Sequence, residues 1–273
     1  MKSDRQCADG TGAAPAVDVS FRAVLRAEWA RVRSVRPVRW ALPLSAVLLV
    51  AVGAGVCASV GAAASGTEDF DPVRLGYYGL CFAHVLVIAF AVLVADNDCP
   101  SLAGRTSSSS SAAREPALRA GPRYGARLIT VAVLALAAGA VASAGTFFLS
   151  QYLLGAHGIS FGEEGTVRAV VSGALYFPLL AVMCTGAASM LRSRPLSLGL
   201  LVPALYLVSP VLSVIPGIRE PAWYLPDRAG QYALRIHLDP AAPYGPVTGS
   251  LILALWAAAA AVGGWLVLRG RDA

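Results

Sequence analysis

Long runs of apolar residues, separated by short polar stretches, dominate the pattern of this 273-residue chain. A helix needs roughly 20 apolar residues to cross a hydrocarbon core of about 30 Å. Six runs are predicted to do so, and the fifth of them contains Pro203, Pro210 and Pro216, which predict kinks or a broken helix. The six predicted spans cover residues 40–60, 75–95, 128–148, 169–191, 195–218 and 247–268.

A helical period precedes the first span, over residues 20–36. Ser20 is placed to cap a helix there, and Pro37 is expected to end it because proline removes a helical hydrogen-bond donor. A helix with arginines on one face and apolar residues on the other lies in the plane of a membrane interface. We therefore predict an interfacial amphipathic helix, and a charged tail with chance periodicity is the alternative. The predicted apolar face consists of Phe21, Val24, Leu25, Trp29 and Val32.

Basic residues divide unequally between the two sides of the predicted membrane. The side of both termini carries 17 lysines and arginines, and the other side carries five. Because cytoplasmic loops hold the basic excess, both termini are predicted to be cytoplasmic. The sequence thus predicts an all-α, multi-pass protein of the cytoplasmic membrane. The predicted protein consists of a disordered cytoplasmic tail over 1–19, the interfacial helix over 20–36 and a six-helix transmembrane domain over 37–273.

Composition agrees with a membrane protein and excludes other classes. The apolar fraction is 56%, charged residues make up 14%, and the mean hydropathy is +0.63. The net charge of +6 is mostly the cytoplasmic arginine excess, so no nucleic-acid partner is predicted. The five cysteines have no CxxC spacing, and neither a disulfide framework nor a metal site is predicted.

Catalytic motifs are missing from the sequence. Lys2 is the only lysine, so the chain has no P-loop, and any ATP-driven work needs a second polypeptide. The three histidines lie in different segments and no Gly-x-Ser-x-Gly elbow occurs, so the chain is predicted not to be an enzyme. No carboxylate is predicted to be buried, which argues against a proton-coupled secondary transporter.

His84 is the one titratable side chain well inside a predicted span. Ionisable groups within a membrane often mark a transport pathway, so a place on the substrate path is one hypothesis. A neutral imidazole that is hydrogen-bonded across helices is the alternative. Small-residue spacings at Gly55 with Ser59, and at Gly139 with Ser143, are typical of close helix packing.

Residues 28–36, EWARVRSVR, directly precede the first predicted span. They resemble the Glu-Trp-x-Lys-x-Arg-Ser-x-Arg opening of the ABC-2 type permeases, which are the membrane subunits of ATP-binding-cassette exporters. Weaker agreement occurs at residues 155–160, GAHGIS, at 225–231, and in the last three residues. The likeness extends over nearly the whole chain from about Phe21 and includes the count of six spans.

The resemblance implies several features of the family. The helix before the first span becomes a connecting helix, whose residues are Phe21, Val24, Leu25, Glu28, Trp29 and Val32. The cytoplasmic loop after the second span couples to the ATPase, through Arg114, Arg119, Arg123 and Tyr124. Part of the chain before the sixth span dips into the membrane. The resemblance implies three partners: a separate ABC ATPase, a second permease copy or relative, and the lipid bilayer. The ATPase would bind the ATP, and this chain itself is expected to bind no cofactor.

Two functions follow as hypotheses. The favoured one is the permease subunit of an ABC exporter that moves an unidentified solute. The alternative is a non-transporting membrane protein, such as an immunity or sensor-associated anchor, that acts by binding. Residues 96–100, DNDCP, favour the alternative, because the family usually has Glu-Tyr-x-x-Gly-Thr at that place.

Overall fold

The computed structural model describes residues 21–61, 71–95, 120–191, 193–212, 215, 219–236 and 242–272. Helices account for most of these residues, and no strand occurs among them, which confirms the predicted all-α class. The predicted tail over 1–19, and Arg114 and Arg119 of the predicted coupling loop, lie outside the described residues.

The helices follow one another with short connections. Their bounds are α1 Phe21–Ser34, α2 Arg36–Gly61, α3 Pro72–Gly76, α4 Leu80–Ala95, α5 Ala120–Leu154, α6 Thr166–Leu191, α7 Arg194–Pro203, α8 Ser209–Leu212, α9 Arg219–Ala222, α10 Pro226–Tyr232 and α11 Pro246–Asp272. Short 3₁₀ turns lie at Tyr77–Gly79 and Gly155–His157, and a π-helical stretch lies at Ala204–Val208.

Among the described residues, five stretches are long and apolar enough to cross a membrane. They correspond to the first, second, third, fourth and sixth predicted spans, and they give the chain the character of a multi-pass membrane protein. The third stretch extends beyond the predicted span 128–148 at both ends. Its helix, α5, begins eight residues before that span and ends six residues after it. The five stretches are Arg36–Val60, Pro72–Ala95, Gly121–Leu154, Thr166–Leu191 and Pro246–Gly270.

The fifth predicted span, 195–218, contains an irregular helix in its described part, and its apolar helix Arg194–Val208 is shorter than the five stretches. Helix α7 ends at Pro203, the π-helical stretch follows, and α8 ends at Leu212. Proline at position 210 has no N–H to donate to the carbonyl of residue 206, which lies inside the π-helical stretch. A proline therefore disfavours regular α-helix there, as the sequence predicted.

Contacts between helices show which helix ends lie together. Helix α2 is antiparallel to the stretch Pro72–Ala95, because Gly53 packs against Gly76 of α3 and Leu49 packs against Gly79 of the 3₁₀ turn that follows. At the other end of α4, the Arg127 guanidinium on α5 donates a hydrogen bond of 3.0 Å to the carbonyl of Ala95. Helix α1 packs against α5 and α2 at this end, which we call the α1 end.

The last span returns the chain to the α1 end. Helices α6 and α11 are parallel, because Ser172 faces Ser250 near their starts and Gly186 contacts Ala260 near their ends. Helix α11 begins beside α10, at what we call the α10 end. Residues 194–212 therefore carry the chain from the α1 end to the α10 end.

Helix α6 lies at the centre of the bundle. It packs against α4, α5 and α11, and Tyr176, Phe177 and Leu180 are almost fully buried in these contacts. Large apolar side chains such as Val141 and Leu255 are more than two-thirds exposed on the outer surfaces of the spans, where a bilayer would cover them.

Candidate functional site

A cleft of about 200 Å³ opens at the α10 end. It lies between the start of the second span and the connection that precedes α11. Three arginines and four aromatic side chains line it, and none of the described lining residues is acidic. The lining residues are Arg74, Tyr77, Tyr78, Leu80, Cys81, Trp223, Arg228, Gln231, Tyr232, Leu234 and Arg235.

Asp71 builds the first wall of the cleft. Its Oδ1 accepts hydrogen bonds from the backbone N–H groups of Val73 (3.1 Å) and Arg74 (3.0 Å), and Pro72 follows it. These are the features of a helix N-cap, so α3 starts here. The other oxygen of Asp71, Oδ2, accepts from the N–H of Ile236 at 3.2 Å and ties this wall to the opposite one.

Helices α6 and α11 hold the second wall. The Arg168 guanidinium on α6 donates to the carbonyls of Ala233 (3.0 Å) and Arg235 (2.8 Å). Gly230 of α10 packs against the ring of Tyr176, and any Cβ atom at that position would collide with it. Glycine is therefore required for α10 to enter the bundle this deeply.

Aromatic rings orient two of the cleft arginines. The Arg228 guanidinium lies 5.5 Å from the centre of the Trp223 ring, and the Arg235 guanidinium lies 5.8 Å from the Tyr232 ring. Both distances are typical of cation–π contacts.

The Tyr244 hydroxyl donates to the Trp223 carbonyl, and burial raises the pKa of Tyr244 to about 12, so it remains a neutral donor.

His84 lies one turn of α4 below the cleft residue Cys81 and is buried. The Tyr176 hydroxyl on α6 lies 3.1 Å from its Nε2 and 3.3 Å from its Nδ1. The imidazole is therefore hydrogen-bonded across helices, as in the second of the two hypotheses for this residue. A place on the substrate path stays a prediction.

Asp227, in the first turn of α10, is a buried carboxylate that the sequence interpretation missed. It is 1% exposed, and its Oδ1 has no hydrogen-bond partner among the described residues. The statement that the chain lacks buried carboxylates was wrong for this reason, since a residue between two predicted spans folds back into the bundle. Pro226 followed by an acid is a helix-start pattern that could have identified α10.

Burial raises the pKa of Asp227 from its ordinary value, and Arg228 opposes this in part. The folded state then binds the proton more tightly than the unfolded chain, so the stability linked to Asp227 is full at low pH. It is lost as pH rises through the raised pKa.

Replacing Asp227 with asparagine should remove this pH dependence, because the amide keeps the shape without the charge. We expect the Asp227→Asn variant in detergent to unfold about 3 °C higher than the unchanged chain at pH 8, and at the same temperature at pH 4. Thermal unfolding across this range measures it. A variant whose pH profile runs parallel to that of the unchanged chain would contradict the assignment.

The predicted interfacial helix corresponds to α1, which ends at Ser34, and Pro37 lies in the first turn of α2. Val24, Glu28 and Val32 are buried on one face of α1, Leu25 and Trp29 are half-buried, and Phe21 is 46% exposed. Glu28 is thus part of the packed face, and its carboxylate lies 3.5 Å from the Arg31 guanidinium. Its position follows from the four-residue spacing to Val24 and Val32.

Two residues of the predicted coupling loop lie on α5 instead of in a loop, because α5 already begins at Ala120. Arg123 is half-buried. Tyr124 is buried, and its hydroxyl donates a 3.0 Å hydrogen bond to the Ala261 carbonyl on α11. The side chain of Tyr124 therefore links α5 to α11 at the α1 end.

The structure brings together two separate groups of candidate residues. The cleft and His84 belong to the α10 end, whereas α1, Arg123 and Tyr124 belong to the α1 end. No family model, curated protein or solved structure matches this chain. Helix α5, which extends over 35 residues, is one of the helices that reach from one group to the other.

Proposed function

We propose that this chain is the permease subunit of an ABC exporter, which moves a solute out of the cytoplasm while a separate subunit hydrolyses ATP. The observation that carries the proposal is the packing of α1 against α5 at the α1 end. Helix α1 and the first turns of α5 offer a surface for a partner at the α1 end, which the arginine excess predicts to be cytoplasmic.

The proposal includes six membrane crossings. Residues 194–212 connect the two ends of the bundle, and 19 helical residues extend over about 28 Å, close to the thickness of a hydrocarbon core. With this segment as the fifth crossing, both termini lie on the cytoplasmic side. Helices α9 and α10 then form the membrane-dipping structure that the resemblance implies before the last span.

Coupling would run through α5. Closure of two ATPase subunits on ATP would displace α1 and the start of α5, and Tyr124 would pass the movement to α11 through its bond to Ala261. The spans of this chain and of a second permease subunit would then open outward. The free energy comes from the difference in ATP affinity between the two states.

Charged substitutions on the packed face of α1 test the proposal. Purified from its own membrane in mild detergent, the chain should carry an ATP-binding subunit in stoichiometric amount. The double variant Leu25→Asp and Trp29→Asp should lose this subunit, or its ATPase activity, by about tenfold or more, because it forces charges into a half-buried contact.

The matched control is the double variant Ala23→Asp and Ala30→Asp, which adds the same charge on exposed positions of α1. We expect it to keep the subunit, and protease mapping should show the spans inserted in both variants. Absence of any ATPase from the unchanged chain would contradict the proposal and favour a protein that acts by binding alone.

The buried Asp227 favours a second candidate, proton-coupled transport. Its carboxylate lies beneath the cleft, near Tyr176, and would take up a proton during each cycle. Solute movement in vesicles that hold a pH gradient but no ATP would support it, and the Asp227→Asn variant should abolish that movement. Dependence on ATP alone would exclude it.

A further inference from the structure

Arginines are concentrated in the cleft at the α10 end. The predicted non-cytoplasmic segments contain five basic residues in total, and three of them, Arg74, Arg228 and Arg235, line this one cleft. A fourth, Arg168, donates to the carbonyls of its second wall. The described lining residues thus include three guanidinium groups and no carboxylate.

The rings next to these arginines restrict their movement. Trp223 lies under Arg228 and Tyr232 lies under Arg235, and both rings are buried. A guanidinium that is already held against a ring loses less conformational freedom when an anion binds to it. The bonds of Arg168 fix the backbone of the same wall, so the cleft is preorganised.

The size and the position of the cleft limit the ligand. A volume of about 200 Å³ is below the roughly 300–1,000 Å³ of pockets that enclose a drug-sized molecule. The cleft lies where the apolar stretch Pro72–Ala95 begins, which is the level of a membrane surface. An anionic group of headgroup size fits there, with the remainder of its molecule outside the cleft.

We propose that the cleft binds a phosphate group, which Arg74, Arg228 and Arg235 hold from different sides. Guanidinium forks match phosphate oxygens in pairs, and several forks around one site favour a group with three or four oxygens over a carboxylate with two. The phosphate belongs to a lipid headgroup or to a soluble phosphate; the chemistry of the contact is the same. This assignment is independent of the ATPase and of the exporter proposal.

The test measures binding to the full chain, purified in dodecyl maltoside, which contains no phosphate. One arm titrates inorganic phosphate and the other titrates phosphatidylglycerol, and calorimetry gives the affinity in each. We expect the double variant Arg228→Gln and Arg235→Gln to bind at least about tenfold more weakly. The corresponding double lysine variant should lie between, because it keeps the charges but not the forks.

Arg39→Gln is the matched control. Arg39 also lies over a tryptophan, Trp40, at 5.8 Å, but at the α1 end and outside the cleft, so its loss should change affinity by less than about twofold. The proposal is supported if the double glutamine variant loses binding in every arm in which the unchanged chain binds. The arm or arms that show binding identify the source of the phosphate. No binding to the unchanged chain in either arm, or equal binding by the double variant, overturns it.

Thermal unfolding without ligand shows whether the double variant is folded. If it is not, Arg74→Gln decides the question, because Arg74 is exposed at the rim of the cleft and its replacement leaves the packing intact. We expect that variant to bind about threefold or more weakly in the arm that shows binding. An unchanged affinity would overturn the proposal.

Discussion

Replacing Gly53 with valine is expected to destabilise the bundle by about 3 kcal/mol or more, the largest effect of any single change discussed here. Gly53 lies where α2 crosses the start of the second span, and a Cβ atom there would collide with the carbonyl oxygen of Gly76. Backbone atoms on both sides leave no flexible side chain that can move aside. The two helices would have to separate, and their buried contacts would be lost.

Gly55 supplies the control on the same helix. It is exposed, and a Cβ atom there would meet nothing within 4 Å. Gly55→Val should change the stability by less than about 0.5 kcal/mol, because it adds an apolar side chain to a lipid-facing surface. Unfolding in a graded mixture of mild detergent and dodecyl sulfate measures both variants. Equal stability of the two valine variants would show that the helices do not cross at Gly53.

Replacing Asp71 with alanine is expected to cost about 3 kcal/mol and to open the cleft. The change removes the N-cap of α3 and the bond to the N–H of Ile236 together, and Asp71 is only 7% exposed. It also removes a negative charge near the Arg168 guanidinium. The wall that carries Arg235 would then keep its contacts with α6 and α11 but lose its bond to the wall that carries Arg74.

Asparagine at position 71 separates the two contributions. Its amide oxygen can still cap α3, but its NH₂ group cannot accept a bond from Ile236. We expect Asp71→Asn to cost about 1 kcal/mol, between alanine and the unchanged chain. Glu164→Ala, which removes an exposed acid at the same end, should cost less than about 0.5 kcal/mol. An asparagine variant as unstable as the alanine variant would place the whole effect in the lost bond to Ile236 and not in the cap.

Local chemistry explains what could be predicted from the sequence. The apolar runs predicted the five described helices that are long and apolar enough to cross a membrane, because a membrane crossing requires about 20 consecutive apolar residues whatever the neighbours are. The helix boundary at Val35 lies two residues before Pro37, where the sequence predicted an end, and the π-helical stretch lies in the segment for which the prolines predicted a kink or a broken helix.

Helix packing was predicted less well, because it depends on which faces meet. The Gly139 and Ser143 pair does pack against α6, whereas Gly55 points away from the bundle and Gly53 makes the contact. In a chain with 27 glycines, spacing alone does not distinguish a packed glycine from an exposed one. Tyr124 shows the same limit, since its partner Ala261 is 137 residues away.

The sequence by itself determined that this chain is an all-α membrane protein, because hydrophobicity and helix length are properties of single segments. Only the tertiary structure decided what the connection before the last span does. It folded Asp227 into the bundle and joined Arg228 and Arg235 to Arg74 around one cleft. Arg74 is more than 150 positions from each of the other two arginines, and the bonds of Asp71 and Arg168 help to bring their backbones together.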